Sequence, residues 1–192
     1  MRFLKFIGAC FLSAILFFIS WPPNGLTGAI FISFVPLIWM VVNFDKHRDI
    51  KVPWTLFLYL LFTFFLVNFS LTSWVMNAHW GGGLFAILLN TVLMSFVFVL
   101  VYYIHRYKGI KHAFISLPVF WLSFEYIHLN WELTWSWVNL GNIFSEQVYW
   151  IQWYEYTGVL GGTLWILLIN ILVYFSLNFF FEKKSISVPL FF

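Results

Sequence analysis

The run Leu-Phe-Ala-Ile-Leu-Leu-Asn-Thr-Val-Leu-Met-Ser-Phe-Val-Phe-Val-Leu-Val-Tyr-Tyr-Ile, residues 84–104, carries no charged side chain from one end to the other. About 20 such residues, coiled as a helix, cross a hydrocarbon core of roughly 30 Å, so this stretch predicts a membrane span. The rest of the 192-residue chain agrees: 62% of it is hydrophobic and only 9% charged, a balance that excludes a soluble domain of this length. Residues 3–20, 25–44, 54–76, 113–129 and 158–181 have the same character. The expected fold is therefore all-α, one polytopic domain over residues 1–192 with about six transmembrane helices.

The basic residues set the expected orientation. They fall in four groups: Arg2 with Lys5; Lys46, Arg48 and Lys51; Arg106, Lys108 and Lys111; and Lys183 with Lys184. These lie at alternate ends of the six spans, while residues 21–24, 77–83 and 130–157 hold no Lys or Arg. Basic loops stay cytoplasmic, so both termini are expected inside and the aromatic-rich connections outside. The net charge of +3 then follows from orientation and contact with anionic lipid, and implies no nucleic-acid partner.

Arg2 and Lys5 ahead of an apolar run resemble a signal peptide, but the run ends in Phe17-Phe18-Ile19-Ser20-Trp21-Pro22-Pro23, with no small-residue cleavage site. The segment is read as a retained first helix. Pro22-Pro23-Asn24-Gly25 and Gly81-Gly82-Gly83 read as tight outer turns. No Lys-Ser/Thr follows the triple glycine, as a phosphate-cradling loop requires. Pro36 should kink the second span, a defect that a bundle absorbs by giving the freed carbonyl another partner.

Glu125 is the sharpest single residue. It lies thirteen positions beyond His112, roughly 20 Å along a helix, and so deep in an apolar span. An ionisable group there is costly; it is either functional or a tie between helices, with Asn68, Asn77 and His128 as candidate partners. His128, three residues on, shares its helix face, which allows a proton-sharing pair or a satisfied interfacial histidine. His105 and His112 lack metal-ligand spacing, and no cofactor is called for. Cys10, the only cysteine, reads as a small packing residue.

Residues 130–142 hold too many polar groups for a span and too many tryptophans for a water-exposed loop. They should lie at the headgroup boundary, Trp135 and Trp137 serving as an aromatic belt or, with Asn139 and Asn142, as the floor or gate of a lipid-binding cavity. Tyr149, Trp150, Trp153, Tyr154 and Tyr156 continue that face, before Gly158, Gly161 and Gly162 let the last span pack closely.

Taken in order, the Pro22-Pro23-Asn24-Gly25 turn, Val35-Pro36-Leu37, Trp121-x3-Glu125, Trp137-x3-Gly141 and Gly158-x2-Gly161-Gly162 resemble the membrane region of apolipoprotein N-acyltransferases, and the versions around Asn139-Leu140-Gly141-Asn142 look most like Bacteroidetes-type members. The likeness runs over essentially the whole chain. It departs from the wider family at His128, where many members have Arg, at Ser136, where Pro commonly precedes the Trp, and at Asn142, where an aromatic is common.

The resemblance implies a multi-pass protein of the bacterial cytoplasmic (inner) membrane. Its family reaction moves a fatty acyl group from a phospholipid to the α-amine of an S-diacylglyceryl cysteine on a lipoprotein. In the family, a Glu-Lys-Cys set in a nitrilase-like α/β domain carries that chemistry through a thioester. No such alternation of strands and helices is legible here, so the resemblance implies a truncated or partial member, inactive alone. Membrane phospholipids, diacylglyceryl lipoproteins and a separately encoded catalytic domain are the expected partners. Glu125, His128, Trp135, Trp137, Asn139 and Asn142 are the candidate lipid- or substrate-binding residues. The alternative is a small non-enzymatic transporter or lipid-binding scaffold that uses Glu125; a third possibility is a decayed gene product.

Overall fold

The computed structural model describes residues 2–23, 25–44 and 52–186, and among these it contains helices, turns and no strand. Seven α-helices follow in order: α1 Arg2–Ser20, α2 Ile30–Ser33, α3 Val35–Phe44, α4 Val52–Thr72, α5 Trp80–Lys108, α6 Ile110–Leu129 and α7 Tyr154–Ile186. Five stretches are long and apolar enough to cross a membrane: Phe3–Ser20, Thr27–Phe44, Trp54–Asn77, Trp80–Lys108 and Tyr154–Phe181. The α6 helix, expected as a span, forms over its whole length, but Ser116, Ser123, Glu125 and His128 make it too polar to qualify by composition. The Pro22–Gly25 turn keeps Gly25 at φ 85°, while Asn24 lies outside the described residues, as do the basic groups at 46–51.

Aromatic rings fill the centre. Trp121 of α6 is fully buried, with its ring centroid 4.9 Å from that of Phe34, nearly perpendicular to it, and 5.8 Å from that of Phe64. Phe34 in turn meets Phe17 and stacks on Phe98. Lipid tails are as apolar as these side chains, so burial alone does not hold such helices together; close packing, ring edges and interhelical hydrogen bonds do.

Pro36 does break the second span: α2 stops at Ser33, α3 starts at Val35, and Phe34 lies between them. The triple glycine is not a turn. It forms the first turn of α5, capped by His79, whose Nδ1 accepts from the Gly82 N–H at 2.8 Å, and the turn proper is the 3-10 segment Ser73–Asn77. Gly83 needs to be small because a Cβ there would lie 2.9 Å from the Met76 backbone nitrogen.

Candidate functional site

Chain connectivity brings Ser20, Thr72, Trp80, Leu129 and Tyr154 to one end of the bundle, where residues 130–153 cover it. That segment folds inward as three 3-10 turns, Ser136–Val138, Leu140–Glu146 and Val148–Trp150, and buries Val138, Leu140, Ile143 and Phe144. Phe144 stacks on Trp165 of α7, while Trp137, Tyr149 and Tyr156 face outward.

Glu125 fastens this cover. Its carboxyl is 1% exposed. One oxygen accepts from the Trp121 indole N–H at 3.0 Å and from the Leu140 backbone N–H at 2.8 Å; the other accepts from the Thr163 hydroxyl at 2.6 Å. The Thr163 Oγ1 accepts in turn from the Gly141 N–H at 3.1 Å, and the Gly141 carbonyl accepts from the Tyr154 hydroxyl at 2.9 Å. Two backbone donors of an irregular segment are thereby satisfied by side chains from α6 and α7, as a buried loop requires.

None of the partners expected for Glu125 is used. Asn68 instead bonds the Phe64 carbonyl and receives the Asn90 amide on its Oδ1 at 2.6 Å, and Asn77 closes the Ser73–Asn77 turn. The pairing of Glu125 with His128 does not form either, because the carboxyl is already occupied by three donors. His128 is 2% exposed, packs between the rings of Phe124 and Trp131, each 5.1 Å away between centroids, and has no hydrogen-bond partner on either ring nitrogen.

The other candidates separate. Trp137 and Asn142 line a cavity of about 470 Å³ together with Trp21, Ser136, Ser145 and Tyr154. Asn142 also donates to the Ser136 carbonyl, and Trp137 packs edge-on against Trp74. Trp135 Nε1 and Asn139 Nδ2 are buried without partners. Cys10 is fully buried with its Sγ directed at the Tyr59 carbonyl, away from all of these groups. Thr163 carried one legible signal: with Asn170 it forms a pair of polar side chains seven apart in an apolar helix, which share a face.

The glycine at the centre of the network has a measurable role. A Cβ at Gly141 would run into the Val159 carbonyl oxygen and lie 2.7 Å from a Val159 methyl. Gly141→Ala is therefore expected to cost about 2 kcal/mol through forced overpacking. At Gly8, where nothing lies within 4 Å of such a Cβ, the same change should be neutral or slightly stabilising. Midpoints of detergent-induced unfolding for the two variants check the contrast.

The apolipoprotein N-acyltransferase N-terminal domain matches residues 13–172, and the chain belongs to that family. It is 26% identical over 173 residues to an apolipoprotein N-acyltransferase of Chlorobaculum tepidum, an alignment that covers 89% of this chain and 30% of the relative. The chain thus spans under a third of that protein's length. No solved structure matches it.

Proposed function

We propose that the chain is the membrane part of an apolipoprotein N-acyltransferase. The family match over residues 13–172 carries this reading. The reaction breaks an acyl ester of a phospholipid, leaving a lysophospholipid and a cysteine thioester. The α-amine of the S-diacylglyceryl cysteine then attacks that thioester, forming the amide and releasing the thiol. The bundle's part is to hold lipid and to present its covered end to the reacting groups. All six spans cross the bacterial inner membrane, α6 included, with the basic connections inside and residues 130–153 on the outer face.

The 192 residues do not turn over alone. Their single thiol, Cys10, is sealed in the α1–α4 interface, and the chain covers only 30% of the relative's length. The chain purified in detergent, given phospholipid and a diacylglyceryl peptide, should release no N-acylated peptide, while a protein that continues this chain to the relative's full length should. Transfer by the 192 residues, lost on Cys10→Ser, would overturn the reading. The arrangement of Glu125 tells against the transporter alternative, since its carboxyl is enclosed by three donors and lines none of the cavities described here.

A further inference from the structure

We propose that the α5–α6 face is a specific glycerophospholipid site, with an acyl chain in the groove between the two helices and ester or phosphate oxygens taken by His128 and Trp131. The groove has a volume of about 250 Å³ and is walled by apolar side chains, among them Leu93, Phe96 and Leu100 of α5 and Phe120, Phe124 and Ile127 of α6. His128 and Trp131 stand at its covered end.

The polar atoms at that end have nothing to bond. Both ring nitrogens of His128 and Nε1 of Trp131 are buried without partners. Buried polar groups are paired as a rule, so three unpaired atoms on two residues at one end of the groove are a departure that calls for a cause. An indole nitrogen only donates, and a neutral imidazole donates through one of its two nitrogens. The missing partner therefore offers acceptors to Trp131 and to one His128 nitrogen, the other His128 nitrogen being itself an acceptor. Its other half must be apolar, because the groove that continues from it is.

Depth selects the occupant. From Lys111 to His128 the helix rises about 26 Å, most of the thickness of a hydrocarbon core, which brings the imidazole to the level of one leaflet's ester and phosphate oxygens. With no Lys or Arg between Lys111 and Lys183, recognition there is by hydrogen bonds rather than ion pairs. The site should therefore take the oxygens common to all glycerophospholipids and be indifferent to head-group charge. The His128 and Trp131 nitrogens are buried, so their side chains would have to turn to meet the lipid oxygens; residues 130–135, which carry Trp131, have no helical structure. The proposal rests on the membrane reading of the bundle and does not require the bound lipid to be the one that reacts.

The test uses the full chain in nanodiscs of phosphatidylethanolamine doped with phosphatidylethanolamine that carries a diazirine in one acyl chain. After photolysis, labelled peptides are mapped by mass spectrometry. Label should concentrate on residues 93–100 and 120–127 over the more exposed Phe3, Leu4 and Ile15 face of α1, and a phosphatidylglycerol probe should give the same pattern. Together, His128→Phe and Trp131→Phe should cut that labelling about fivefold, the effect of losing a hydrogen bond of the strength found in membranes. Leu93→Trp should cut it as far by filling the groove, and because it leaves residues 128–139 untouched, it keeps the test valid if the double variant misfolds. Even labelling over every apolar face, or labelling unchanged by Leu93→Trp, would overturn the site. Either result leaves the acyl-transfer reading to stand or fall on its own assay.

Discussion

Glu125→Leu is expected to destabilise the bundle by roughly 3–5 kcal/mol, because one substitution leaves three buried donors without an acceptor at about 1–2 kcal/mol each. The donors are the Trp121 indole, the Leu140 backbone N–H and the Thr163 hydroxyl, which belong to α6, the covering segment and α7. Leucine fills much of the volume, so the loss is one of hydrogen bonding rather than of packing. The water that would rehydrate an orphaned group in a soluble protein is scarce at this position. Glu125→Gln should cost only about 1 kcal/mol: its amide oxygen still serves Trp121 and Leu140, and its amine donates to the Thr163 oxygen. Unfolding midpoints in mixed micelles measure both. Chymotrypsin, for which residues 131–153 are full of targets, should cut the covering segment faster in the leucine variant alone. A leucine variant within about 0.5 kcal/mol of the parent would show that the network does not hold the cover down. Equal losses for Gln and Leu would point to a charge requirement instead.

Most of the helices were legible because they depend on local properties: uncharged runs, and Pro36 as a breaker. The inward folding of residues 136–146 was not. A segment rich in Trp and Asn reads as interfacial when its backbone has no visible partner, and the partners here come from Glu125 and from Thr163, 38 residues further on. Glu125 was identifiable as anomalous, and Trp121 lies one helical turn before it, yet its role depends as much on Leu140 and Thr163, which no periodicity connects to it. The triple glycine shows the opposite error. Composition favoured a turn, but the His79 cap and the close approach to Met76 make it the start of a helix, an instance of tertiary contact overriding propensity.

Asn170 offers the second large effect, and the break at Phe34 explains why. In an unbroken helix the Phe34 N–H would bond the Ile30 carbonyl four residues back. The ring of Pro36 disfavours helical geometry at Val35 and clashes with the carbonyl at Ile32, so the turn opens. Asn170 of α7 enters that opening: its Oδ1 accepts from the Phe34 N–H at 2.8 Å, and its Nδ2 donates to the Ile30 carbonyl at 2.8 Å. Ser33 also donates to Ile30, and Ser13 of α1 donates to the Ser33 carbonyl at 2.6 Å, so three helices meet at one defect. Asn170→Leu should therefore cost about 3 kcal/mol, since the Phe34 donor loses its acceptor and the Ile30 carbonyl keeps only the serine. Pro36→Ala should change that cost. With the proline gone, Phe34 and Ile30 can bond each other, and the leucine at 170 would leave little unsatisfied. A double-mutant cycle is then expected to show coupling of about 1–2 kcal/mol, with Asn170→Leu milder in the alanine background. Strict additivity of the two changes would mean that Asn170 stabilises α7 through its bond to Ile166 alone, and that the break is held open by packing around Phe34 rather than by this side chain.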